Sequence, residues 1–206
     1  MKINKYHIFL LCIVSAFFVW SAINPHDYFT WLLEVFPAVV GAAIIFPTYR
    51  KFRLSNLMYT LIAIHAIILM IGGHSTYALA PVGEWMKQIF GFTRNNYDKI
   101  GHLAQGFMPA IYVREVLIRK SPLTKHNSFW LPFISISVVL AASALYELIE
   151  WWVSLASGSA GDSFLGTQGY IWDTQSDMFL ALVGALAGLL ILNKLHDRSM
   201  QKAAQP

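Results

Sequence analysis

The chain has 206 residues, 56% of them hydrophobic and 13% charged, with a net charge of +4. A soluble globular domain carries roughly 25% charged residues, so this composition points to a membrane protein; basic residues scattered in short clusters do not make a nucleic-acid footprint. The single cysteine, Cys12, excludes an internal disulfide and a cysteine-based zinc cluster, and its apolar run predicts a packed, inert thiol.

A bilayer core needs about 20 apolar residues as a helix. Six stretches qualify, at 7–23, 28–47, 54–73, 98–118, 129–156 and 173–193. They predict an all-α fold, a single domain over 1–206 built as a six-helix transmembrane bundle. The first stretch follows Lys2 and Lys5, as a signal peptide would, but "VWSAINP" is a poor cleavage site, so it reads as a retained span. Alternate loops carry Lys2 and Lys5; Arg50, Lys51 and Arg53; Arg119, Lys120 and Lys125; then Lys194, Arg198 and Lys202. The opposite loops carry only Lys87, Arg94 and Lys99. Positive residues favour the cytoplasm, which predicts that both termini lie on the cytoplasmic side.

Between the third and fourth spans, Val82, Trp85, Met86, Ile89 and Phe90 recur with helical spacing. They predict a short amphipathic helix on the outer side, lying along the interface or packed over the bundle mouth. His65, midway along span three, reads either as a neutral packed histidine or as a proton relay. Glu115, Arg114 and Arg119 close span four and read as interfacial anchors. The loop "SGSAGDSFLGTQGYIW" is glycine-rich and reads as a connector or as a lid-like segment. In the last span, Ala181, Gly184, Ala185 and Gly188 form a small-residue stripe expected to pack inside the bundle.

The outer ends of the spans hold an unusual set of polar residues. Asp98 opens span four, with His102 about 6 Å deeper on the same face and Gln105 a turn below. Glu147 and Glu150 share one face of span five, about 8–14 Å below its outer end. Asp173 and Asp177 stand one turn apart at the start of span six. His74 ends span three, and Glu34 lies about two turns into span two. Each pair alone fits a helix-start acid favoured by the dipole, or carboxylates beside interfacial tryptophans. Together they occupy one depth, and an unpaired carboxylate in the bilayer costs at least ~2.5–3.5 kcal/mol. A bound divalent cation, shared protons or a water-filled cavity would resolve the excess of acids.

The reading this supports is a periplasm-facing site. Asp98, His102, Glu147, Glu150, Asp173 and Asp177 are its candidate metal ligands; Glu147, Glu150 and His102 are its candidate catalytic groups; Lys99, His74 and Gln105 are its candidate substrate contacts. A divalent cation there would activate water and clamp a phosphate or ester oxygen. That chemistry suits a hydrolase or transferase acting at the outer leaflet on an anionic headgroup. Two readings compete with it: a non-catalytic envelope component whose cluster is structural glue, and a small cation- or proton-coupled transporter.

The motifs "YDKIGH" (97–102), "ELIEWW" (147–152) and "DSFLGTQGYIWDTQSDM" (162–178) resemble the YjdF-type family of uncharacterised bacterial inner-membrane proteins. The resemblance implies a multi-pass inner-membrane protein and brings no established activity. A looser similarity, carried by Asp98, Lys99 and His102, by Glu147 and Glu150, and by Asp173 and Asp177 before "GALAG", reaches the VanZ-like family. It implies a link to the outer leaflet or to envelope precursors. The second Glu and the "FLGTQG" loop depart from the VanZ-like pattern.

Overall fold

Polar side chains at the helix starts set where the chain enters its first helices. Asn4, Asp27 and Ser55 each accept a backbone N–H from the first turn that follows, capping Lys5–Ala22 (α1), Tyr28–Thr48 (α2) and Asn56–Ser75 (α3). Four further helices are Pro81–Phe90 (α4), Tyr97–Lys120 (α5), Trp130–Ser157 (α6) and Asp173–Ala203 (α7). The computed structural model describes residues 4–123, 129–158, 161 and 164–203, and no strand occurs among them. Lys2, Lys125, Asp162 and Ser163 lie outside the described residues.

The hydrogen bond from Thr30 holds the Asp27 carboxyl below the usual carboxylate range. A lowered folded-state value makes this cap effective above about pH 4 and weakens it as pH falls further. Asp27→Ala is expected to cost about 1 kcal/mol at neutral pH. Unfolding in detergent should show that difference shrinking on acidification; a penalty that stays constant into the acid range would contradict the cap.

The six long helices alternate in direction. At one end, where α1 starts and α7 stops, His7 of α1 contacts Tyr49 and Asn56, and Ser55 and His196 meet Glu115 of α5. At the other end, Trp31 bonds Ser21, the N–H of His26 bonds His74, and Lys99 bonds Asp177. α5 and α7 therefore run parallel, with α3 and α6 antiparallel to both. Five of the helices, α1, α2, α3, α6 and α7, are long and apolar enough to cross a membrane. α5, expected as the fourth span, is long enough but too polar to join them; its polar residues are covered by neighbours instead. α7 runs ten residues past the expected end at 193, because its last turns keep packing: His196 and Met200 are buried, and Ser199 accepts the Leu57 N–H. Cys12, expected to be packed, is exposed on α1.

The small-residue stripe of α7 packs inside the bundle, against α5. A β-carbon on Gly106 would overlap the Ala181 carbonyl, and one on Gly184 would overlap that of Leu103. At Gly188 it would lie 2.9 Å from the Phe107 carbonyl oxygen. With no side chain between them, the two backbones approach along several turns.

At the terminal end the structure corrects one expectation. Glu115 and Arg114 are not interfacial anchors but are buried, at 0% and 4% exposure. Glu115 accepts from the Ser55 N–H at 2.8 Å, the Ser55 hydroxyl at 2.7 Å, Arg119 at 2.6 Å and His196 Nε2 at 3.0 Å. Arg114 donates to His196 Nδ1 and to Asp197, each at 2.8 Å. Because Nδ1 accepts, Nε2 carries the hydrogen it gives to Glu115, so one tautomer satisfies the whole network. Sequence reasoning saw charges near a span end; it had no way to see the α7 residues that bury them.

Candidate functional site

Because α5 and α7 start at the same end and run parallel, the first turns of the two helices meet. The i, i+4 pair Asp98 and His102 on α5 faces the i, i+4 pair Asp173 and Asp177 on α7. Asp98, His102 and Asp177 are all buried. His102 Nε2 lies 3.2 Å from Asp98 Oδ1 and 3.8 Å from Asp177 Oδ2. One ligand atom from each of the three falls within 4.8 Å of the others, the spacing a single metal ion requires. On the other side of the ring, Nδ1 meets Gln105 Oε1 at 2.9 Å. An amide oxygen only accepts, so Nδ1 carries the hydrogen and Nε2 is turned to the aspartates. Glu147 Oε1 approaches the same Nδ1 at 3.7 Å.

The remaining residues form the walls. Lys99 donates to Asp173 at 2.7 Å, Ser176 at 2.8 Å and Asp177 Oδ1 at 2.5 Å. Arg94 binds Asp173 at 2.6 Å and the Thr167 carbonyl at 2.6 Å, and both cations lie over the Tyr170 ring. Asn95 and Gln168 bond each other reciprocally. The described part of the glycine-rich loop, from 164 onward, is thereby tied across the mouth of the site. Phe164 of that loop is buried against Tyr146, whose ring stands 6.4 Å from that of His102. Glu34, 2% exposed on α2, faces Tyr77, Asp98 and His102. Glu150 is buried near Glu147, Asp98, Glu34 and Asp177.

Six buried carboxyls, Glu34, Asp98, Glu147, Glu150, Asp173 and Asp177, therefore gather around three bases, Arg94, Lys99 and His102. Of the residues expected at the site, Asp98, His102 and Asp177 form its centre, with Glu147, Glu150 and Gln105 beside them. Asp173 is turned to two cations rather than to the triad. Lys99, expected to meet an anionic headgroup, spends its three N–H donors inside the protein. His74, expected at the substrate, turns to α1: its Nδ1 lies 3.2 Å from the Ser21 carbonyl and its ring 4.4 Å from Trp20. Glu34, expected at this depth but given no role, and Arg94, one of the few bases on the outer side, both sit at the site. Tyr77, Tyr146 and Gln168 carried no signal in the sequence.

Comparison with known proteins agrees with the motif reading. A family model described as "Predicted membrane protein (DUF2238)" matches residues 6–198. The inner membrane protein YjdF of Escherichia coli (strain K12) is 46% identical over 189 residues, covering 92% of this chain and 90% of that protein. No solved structure matches the chain.

Proposed function

This chain belongs to the DUF2238 family of membrane proteins, and from that premise we propose a six-span inner-membrane protein with cytoplasmic termini and a periplasm-facing centre. In this reading Asp98, His102 and Asp177 hold a divalent cation used for hydrolysis or group transfer on a lipid-linked or envelope substrate. Two features favour the membrane arrangement. α5 alternates in direction with the five apolar helices around it, and α4 leaves Val82, Trp85, Ile89 and Phe90 exposed, as a helix lying in the interface would.

One observation carries the chemistry: an imidazole nitrogen and two carboxylates, all buried, converge within ligand distance while Gln105 fixes the histidine tautomer. Two oxygens and one nitrogen suit a hard or borderline divalent ion. Such an ion would supply Lewis-acid polarisation and a nucleophile at neutral pH. Lys99 tethers Asp177 Oδ1 and leaves Oδ2 toward His102. Glu147 and Glu150, buried beside the triad, are its candidate proton-handling groups. Tyr146, Phe164 and the tied loop limit water at the mouth. The envelope-linked substrate class rests on the VanZ-like resemblance alone.

The structural-glue reading draws on a specific observation as well, the pairing of Arg94 and Lys99 with Asp173 and Asp177. The transporter reading draws on less: between this site and Glu115 the core is mainly apolar, with Met58, Ala110, Ile111, Val139, Ala181 and Ala185, and its buried polar groups His65, Ser135 and Ser143 are an imidazole and separate hydroxyls rather than a carboxylate path. Elemental analysis of protein purified in mild detergent decides the matter. We expect about one divalent ion per chain, lost in Asp98→Asn, His102→Ala and Asp177→Asn. Metal content far below one, unchanged by these substitutions, would remove the metal reading and leave the glue.

A further inference from the structure

A different set of oxygens lies one helical turn inward of the triad. The hydroxyls of Thr48, Thr60, Ser75, Ser121, Ser135 and Ser157 each bond a carbonyl three or four residues back in their own helix. That is the habit of serine and threonine in apolar helices. Ser143 breaks it. The residue is 0% exposed, and its hydroxyl has no hydrogen-bond partner among the described residues. Leaving such a group unmade is costly, and the cost is not required, because the Val139 carbonyl is within its own turn.

Glu147, one turn toward the site on the same buried face of α6, shows the same feature. Its Oε1 is buried without a hydrogen-bond partner, 3.7 Å from His102 Nδ1, while the carboxylate also reaches Thr174. In α5, which packs against α6, Pro109 lies inside the helix, one turn past Gln105. Proline has no N–H, so the carbonyl of Gln105, four residues earlier, is released from the helix ladder. Pro109 itself follows Asp98, His102 and Gln105 at helical spacing on α5. The Gln105 side-chain oxygen and Glu147 Oε1 both approach His102 Nδ1, which brings α5 and α6 together at this level.

We propose that Glu147 Oε1, the Ser143 hydroxyl and the released Gln105 carbonyl, with Gln105 Oε1 beside them, bind a sodium-like monovalent cation. All the ligands are hard oxygens, and only one carries charge, which matches a single positive charge and not two. A helix carbonyl freed from its ladder beside an intramembrane carboxylate is a recurrent sodium-binding device in membrane proteins. The cation also offsets part of the carboxylate excess described above. This site goes beyond the divalent centre and shares no ligand atom with it.

The test uses full-length protein in detergent, with thermal unfolding followed in sodium, potassium and choline chloride at equal ionic strength. Sodium is expected to raise the midpoint in a saturable way, and choline to leave it unchanged. Ser143→Ala should weaken the apparent sodium affinity about tenfold, the equivalent of about 1.4 kcal/mol. Pro109→Ala restores an N–H to the Gln105 carbonyl without loss of helix, and should weaken sodium binding to a similar extent. Asp98→Asn should lose divalent metal and keep the sodium response. Equal midpoints in all three salts would overturn the proposal, as would a full sodium response in both Ser143→Ala and Pro109→Ala. A sodium response without bound divalent metal would refute the triad reading and leave this one standing.

Discussion

Glu115→Ala is expected to cost about 3–5 kcal/mol, the range for removing one partner of a buried ion pair. The carboxylate is fully buried and takes four hydrogen bonds, two from Ser55 and one each from Arg119 and His196. Removing it strands the Ser55 N–H that opens α3 and the Nε2–H of a fully buried histidine. Arg114 still donates to His196 Nδ1 from the far side, so the ring cannot turn its hydrogen elsewhere without losing that bond. Glu115→Gln keeps the volume but directs an amide donor at groups that are themselves donors, and should lose most of the same energy. Reversible unfolding in mixed micelles measures both variants. A midpoint for Glu115→Ala equivalent to less than about 1 kcal/mol of loss would mean that water reaches the network and replaces the carboxylate.

Gly106→Ala is the second large effect. The added methyl would overlap the Ala181 carbonyl, a backbone atom that cannot swing aside as a side-chain tip can. Overpacking of this kind costs about 1–3 kcal/mol. Its reach is longer than its stability cost, because Ala181 lies one turn inward of Asp177, as Gly106 lies one turn inward of His102. Parting α5 from α7 here moves the two aspartates and the imidazole relative to one another. If the triad holds a divalent ion as proposed, a loss of about 10–100-fold in its affinity is expected, comparable to the loss of an outer-shell partner. Gly41→Ala is the control: nothing lies within 4 Å of a β-carbon there, so it should be neutral or slightly stabilising, since alanine favours the helix by up to about 1 kcal/mol. Equal behaviour of the two variants in unfolding and in ion titration would show that the α5–α7 contact is looser than described.

The five apolar helices were legible because apolar runs of bilayer length leave little choice of structure. The depth of the acids was legible for the same reason: once the spans are set, the rise of a helix places Asp98, Glu147 and Asp177 at one level. What the sequence withheld was azimuth across helices. Nothing local distinguishes Asp177, which meets His102, from Asp173, which is held by Arg94 and Lys99. Lys99 looked available because its neighbours in sequence are not its partners; those come from a helix more than seventy residues on. Glu115 failed in the same way, since its partners Ser55 and His196 are distant along the chain. α4 was readable from its own periodicity, because an amphipathic helix states its surface preference within a few turns.

α7 covers the polar groups of α5 at both ends, with Asp173 and Asp177 at one and His196 and Asp197 at the other. This has a consequence for biosynthesis. α5 leaves the ribosome well before α7 exists, and a helix carrying this many charges enters the bilayer poorly from the translocon on its own. In the proposed six-span arrangement its stable insertion awaits α7, so the bundle closes from its last helix. On that proposal a chain cut short after α6 would lose not one membrane pass but two, and a quality-control protease would meet a helix from the middle of the sequence left outside.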